Sequence, residues 1–199
     1  MDALRAMPLK TKQPELVWSN VVSVLLDSFQ SNRTVKALIF LPGAQDEFYF
    51  FRKVKVTWTN SSPSLLDAVQ GLTNQNPVQA TFREPFLLIH TRTDWLEPKK
   101  SITDKVLAEQ LRRAPFRAHV LYKDREWDLL LPELTDTLRI EILPKSKSPD
   151  SWHFYRHSFA AWHLTAFEAF EAIAFAGKTS FAIEKNRVAF RLDERRAIP

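Results

Sequence analysis

The sequence predicts an α/β fold: two small layer sandwiches in tandem, each with a β-α-β-β unit whose mixed sheet packs on helices. Three observations carry this expectation. Segments of two-residue apolar period alternate with segments of helical period. The stretch 46–69 aligns without a gap onto 150–173, at a shift of 104 residues. The connections between the candidate elements are short, and single helices serve as crossovers.

In the first half, "NVVSVLLDSFQSNRTVKALIFLPG" (20–43) reads as helix then strand. Val54, Val56 and Trp58 then alternate with Lys55 and Thr57, the pattern of a half-buried strand. "SSPSLLDAVQGL" (61–72) supplies a serine cap and a helix with Leu65, Leu66, Val69 and Leu72 on one face. "VQATF" and "FLLIHT" follow as two strands around Arg83–Pro85. The second half has the same order. "TDKVLAEQLRRAPFRAHVLYKD" (103–124) is read as the echo of 20–43, helix then strand. Thr165 caps a helix that buries Phe167, Phe170, Ile173 and Ala174, and "SFAIE" and "RVAFRL" pair around Lys185–Asn186. In the gap-free alignment Asp46 meets Asp150, Arg52 meets Arg156, Trp58 meets Trp162 and Asp67 meets Glu171. The two tryptophans are expected to be equivalent and largely buried. Proline and charge crowd into "TDWLEPKKSITD", which sets the boundaries: a tail 1–13, a first domain 14–93, a linker 94–101, a second domain 102–194 and a tail 195–199. "PKSKSPDS" is a loop inside the second domain.

At "VTWTNSSPSLLDAVQGLTNQNPVQATFREPFLLIHT" (56–91) the chain resembles the secretin and TonB short N-terminal domain. That family shows a strand, a helix reading roughly L-x-x-A-L-x-x-L and two strands around a turn. Leu65, Ala68, Val69 and Leu72 occupy the helical pattern here, and Phe170, Ala172, Ile173 and Ala176 approximate it in the second copy. The resemblance implies a non-enzymatic module of a bacterial cell envelope that binds other proteins, in a secretion, pilus or outer-membrane assembly system. It implies a periplasmic or envelope location if a leader has been removed; otherwise the chain is expected in the cytoplasm.

Composition narrows the chemistry. The absence of cysteine removes thiol nucleophiles, disulfides and zinc–thiolate sites. No apolar run reaches the length of a membrane span. Net charge is +5, but the Lys and Arg residues are scattered rather than gathered into a stripe. A cytosolic nucleic-acid-binding protein with two pseudo-symmetric halves is therefore the alternative reading, with protein partners preferred. "FAGKTS" (175–180) imitates the end of a phosphate loop, but the first glycine of GxxxxGK[ST] is missing. A helix pattern also precedes Gly177 and a strand pattern follows it, the reverse of a phosphate loop, so Gly177 reads as a helix stop. His153, His157 and His163 share strand parity, yet i,i+4 residues on a strand lie about 13 Å apart, too far for one ion. No G-x-S-x-G elbow occurs. No catalytic, cofactor or metal residue is nominated, and no cofactor is expected.

The candidate contact face comes from strand alternation. Phe48, Phe50, Val54, Val56 and Trp58 share one parity, leaving Tyr49, Phe51 and Lys53 on the other. His153, Tyr155 and His157 are their counterparts in the second copy. These six are the candidate partner-contact residues. Arg52 and Arg156 fall on the inward parity, where a guanidinium needs a partner. Edge-strand addition is the expected mode of contact.

Overall fold

The structure, a computed structural model, describes residues 2–9, 11, 15–17, 24–25, 27–30, 34–41, 55–90, 97–116, 120–126, 135–136, 138–145, 156–177 and 179–192. It has mixed α/β content, with mixed sheets packed on helices. The chain divides into two units: Met1–Trp95 with Ala160–Trp162, and Leu96–Phe159 with His163–Pro199.

The first unit contains α1 (Asp2–Arg5), β1 (Glu15–Val17), β2 (Ala37–Leu41), β3 (Lys55–Thr57), α2 (Leu65–Gln75), β4 (Gln79–Arg83) and β5 (Phe86–His90). A further helical turn lies between β1 and β2 and buries Leu25 and Phe29. α2 begins at a capping box. The Ser64 hydroxyl accepts from the Asp67 N–H, and the Asp67 carboxylate accepts from the Ser64 N–H at 2.7 Å. Two orphan helix-start donors are thereby satisfied. The same Ser64 N–H, ahead of the Ser64 hydroxyl, holds the Asp67 carboxyl below its usual range. Leu65, Leu66, Ala68, Val69 and Leu72 form the buried face of α2. Each large apolar side chain so buried contributes on the order of 1.5–3 kcal/mol relative to exposure. β5 is buried along its whole length, with β4 antiparallel on one side and β2 parallel on the other. That placement explains why "FLLIH" reads as an apolar run rather than an alternation. Trp162 is half-buried against this core, and its backbone N–H donates to the Lys36 carbonyl at 2.7 Å.

The second unit contains β6 (Lys100–Ile102), α3 (Lys105–Arg113), β7 (Val120–Glu126), β8 (Glu141–Lys145), β9 (Arg156–Ala161), α4 (Ala166–Ala176), β10 (Thr179–Glu184) and β11 (Arg187–Leu192); the last two residues of β9 count with the first unit. Its sheet runs β6-β10-β11-β8, with an antiparallel hairpin at the centre and a parallel strand on each side. Phe170, Phe181 and Phe190 meet at ring separations of 5.9–6.4 Å, and Phe167 adds an edge-on contact to Phe181 at 5.8 Å. α4 ends at Ala176. The Gly177 N–H donates to the Ile173 carbonyl at 2.8 Å, and Thr179 then opens β10. The helix comes before the strand, as the sequence pattern around "FAGKTS" indicates.

Both units hold a capped helix that leads into an antiparallel hairpin with a parallel strand beside it: α2, β4–β5 and β2 in the first, α4, β10–β11 and β8 in the second. A proline bridge pins each helix start. Pro8 faces Ser64, with Leu9 N–H to Pro63 O at 2.8 Å and Leu65 N–H to Met7 O at 2.7 Å. Pro115 faces Thr165, with Phe116 N–H to Leu164 O at 2.7 Å and Ala166 N–H to Ala114 O at 2.9 Å.

The spacing of these like elements departs from the single gap-free shift of the sequence alignment. The shift of 104 holds for β2 and β8, but the capped helices and their hairpins correspond at a shift of 101. Trp58–Ser64 joins strand to helix in the first unit and Trp162–Thr165 does so in the second, with three fewer residues. Asp67 therefore matches Glu168, the other capping-box carboxylate, and Glu171 matches Gln70. The strand parallel to β11 is β8, not the β7 that follows α3 in the sequence. Trp58 and Trp162 each directly follow a strand, and both are half-buried rather than enclosed.

Candidate functional site

Tyr49, Phe51, Lys53, His153 and Tyr155 lie outside the described residues, as does Arg52. His157 and Arg156 lie on β9. Where the first strand is described, its alternation holds: Val56 is buried while Lys55 and Thr57 are exposed, and the Lys55 ammonium sits 3.6 Å from Glu15. His163 follows β9, is exposed, and has a left-handed φ of 55°. Among the described residues no group of three or more His, Asp or Glu side chains is gathered as a metal site would require.

The informative chemistry lies at the strand edges, which expose main-chain donors and acceptors and must be managed. β3 is closed by side chains. Gln75 at the end of α2 accepts from the Thr57 N–H and hydroxyl, both at 2.9 Å, and donates to the Thr57 carbonyl at 2.7 Å. Asn76 donates to the Lys55 carbonyl at 2.8 Å and to the Leu72 carbonyl at 3.0 Å. The two primary amides act as a substitute strand, and Asn76 also satisfies a carbonyl left over at the helix end. α2 comes close enough for this because position 71 is glycine. A Cβ there would lie 3.1 Å from Val56 Cγ1 and 3.3 Å from the Thr57 carbonyl. β10 is closed by β6. β8, terminal in its sheet, carries Pro144, which has no N–H to offer.

β4 has none of these devices. It is terminal in its sheet, and "QATFR" holds no proline and a single charge. Its only ladder partner among the described residues is β5. Ala80 and Phe82 pack half-buried on the core, while Gln79 and Arg83 are exposed. Thr81 is held on the other face, its hydroxyl 3.0 Å from Nε2 of the buried His90. Burial on β10, the first strand of the second unit's hairpin, is far greater: Phe181, Ala182 and Ile183 are 2%, 6% and 0% exposed. The sequence did not single out β4, because an edge is a property of strand order, which local alternation does not encode.

Comparison with family models, curated proteins and solved structures returns no match.

Proposed function

We propose that this chain is a non-enzymatic protein built of two like modules, and that it works by binding other proteins through strand addition at β4. The observation that carries this reading is the unblocked five-residue edge of β4, in contrast to β3, which side-chain amides close, and β8, which carries a proline. Main-chain N–H and C=O groups recognise another backbone and supply affinity without any reactive group. The resemblance of 56–91 to the secretin and TonB short N-terminal domain supports service in a bacterial envelope, in secretion, pilus or outer-membrane assembly. No helix among the described residues is long and apolar enough to cross a membrane.

A photo-crosslinking amino acid at position 79, with position 106 as a control on the 70%-exposed Val106, tests the reading in cells. The expected result is a protease-sensitive adduct from position 79 and none from 106. Adducts that are removed by nuclease would transfer the reading to nucleic acid, and identical adducts from both positions would overturn it.

A further inference from the structure

We infer that β4 takes its occupant in parallel, in the register that β6 uses on β10, and that the occupant is an extended segment of another protein with a neutral polar residue two positions before an aliphatic one. This rests on the strand-addition reading above. Within the second unit, β6 pairs with β10 in parallel: Lys100 faces Phe181, Ser101 faces Ala182 and Ile102 faces Ile183. The ladder is continued by Phe181 N–H donating to Lys99 O at 3.1 Å and by Thr103 N–H donating to Ile183 O at 2.9 Å. The outward-facing groups of β10 are therefore those of Phe181 and Ile183. At the shift of 101 their counterparts are Ala80 and Phe82, the two half-buried residues of β4.

The side-chain preference follows from the neighbouring helix. In the second unit Lys100 forms an ion pair with Glu171 of α4 and lies 6.0 Å over the Phe167 ring. The residues at those places on α2 are Gln70, which is exposed, and Leu66. A cation opposite Gln70 finds an amide instead of a carboxylate, so an amide or hydroxyl is favoured there. Two positions on, paired side chains share a face in a parallel ladder, and Phe82 takes an aliphatic neighbour as Ile183 takes Ile102.

The probe is an acetylated, amidated peptide of residues 97–104 carrying Lys100→Gln, titrated at millimolar concentration into the isotope-labelled full chain. Saturable amide shifts confined to Gln79–Arg83 are expected. A spin label at the peptide N-terminus should broaden Gln79 more than Arg83. Ala80→Pro removes an edge donor while leaving the β4–β5 ladder intact, and it should abolish the shifts. If Ala80→Pro does not fold, N-methylating the peptide Thr103 amide removes the equivalent contact from the ligand side and should do the same. Absence of saturable shifts, shifts that survive both changes, or stronger broadening at Arg83 would each overturn the proposal. Failure here with position-79 adducts intact would remove the register and occupant only; loss of those adducts would remove strand addition itself.

Discussion

Gln75→Ala tests whether a side-chain amide replaces a strand at β3. The substitution deletes three hydrogen bonds to Thr57, at 2.9, 2.9 and 2.7 Å, all in an exposed setting. Each neutral bond contributes about 0.5–1.5 kcal/mol net, and exposed ones lie near the lower end because water replaces the lost partner. Alanine returns a few tenths of a kcal/mol in helix propensity. The expected loss is about 1–2 kcal/mol, read from urea unfolding. The sharper measure is hydrogen exchange at the Thr57 amide, whose acceptor disappears. If its opening is local, a loss of about 1.4 kcal/mol corresponds to tenfold faster exchange. Thr57→Val, which removes only the hydroxyl contact, should cost less and leave that amide protected. Unchanged Thr57 exchange in Gln75→Ala would refute the idea that the amide serves as a ladder rung.

Two further outcomes follow from the same corner of the first unit. Gly71→Val places a branched side chain where a bare Cβ already lies 3.1 Å from Val56 Cγ1, so unfolding experiments should show a loss of about 1–3 kcal/mol. Acid titration should expose the capping box. Because Asp67 is depressed in the folded state, chiefly by the Ser64 N–H, its stabilisation is complete above the unfolded carboxylate value near 3.8 and is lost as pH falls through the folded value. Asp67→Asn should make the stability of this unit less dependent on pH below about 4, as followed by hydrogen exchange at the α2 amides.

The helices were readable because their signals are local. Ser64 and Thr165 announce their caps by residue type, and Leu65, Leu66, Val69 and Leu72 reveal a buried face by spacing. The hairpins were readable for the same reason, with β4–β5 and β10–β11 each closing around a short turn. Strand order was not readable. Whether β7 or β8 lies beside β11 depends on contacts distant in sequence, and helix-then-strand patterns occur upstream of both. The three-residue difference between the loops that open at Trp58 and Trp162 was hidden because Asp67 and Glu171 are both acidic. Capping geometry separates them: Glu168 holds the helix start, whereas Glu171 pairs with Lys100. Five of the six predicted contact residues lie outside the described residues, and the β4 edge is not among those the sequence nominated. Aromatic alternation draws attention to strand faces, whereas strand addition depends on backbone groups that carry no residue signature.

The half-buried Trp162 imposes an order on biosynthesis. The first unit counts Ala160–Trp162 among its own residues, and the Lys36 carbonyl bonds to the Trp162 N–H. A ribosome that has released residue 95 has therefore not yet delivered everything that unit needs. At ~5–20 residues per second, Lys36 waits several seconds for Trp162, longer than many small domains take to fold. During that interval the core lacks the half-buried Trp162 side chain and the Lys36 carbonyl lacks the Trp162 backbone N–H. Fragments cut at the unit boundary inherit the same deficiency permanently.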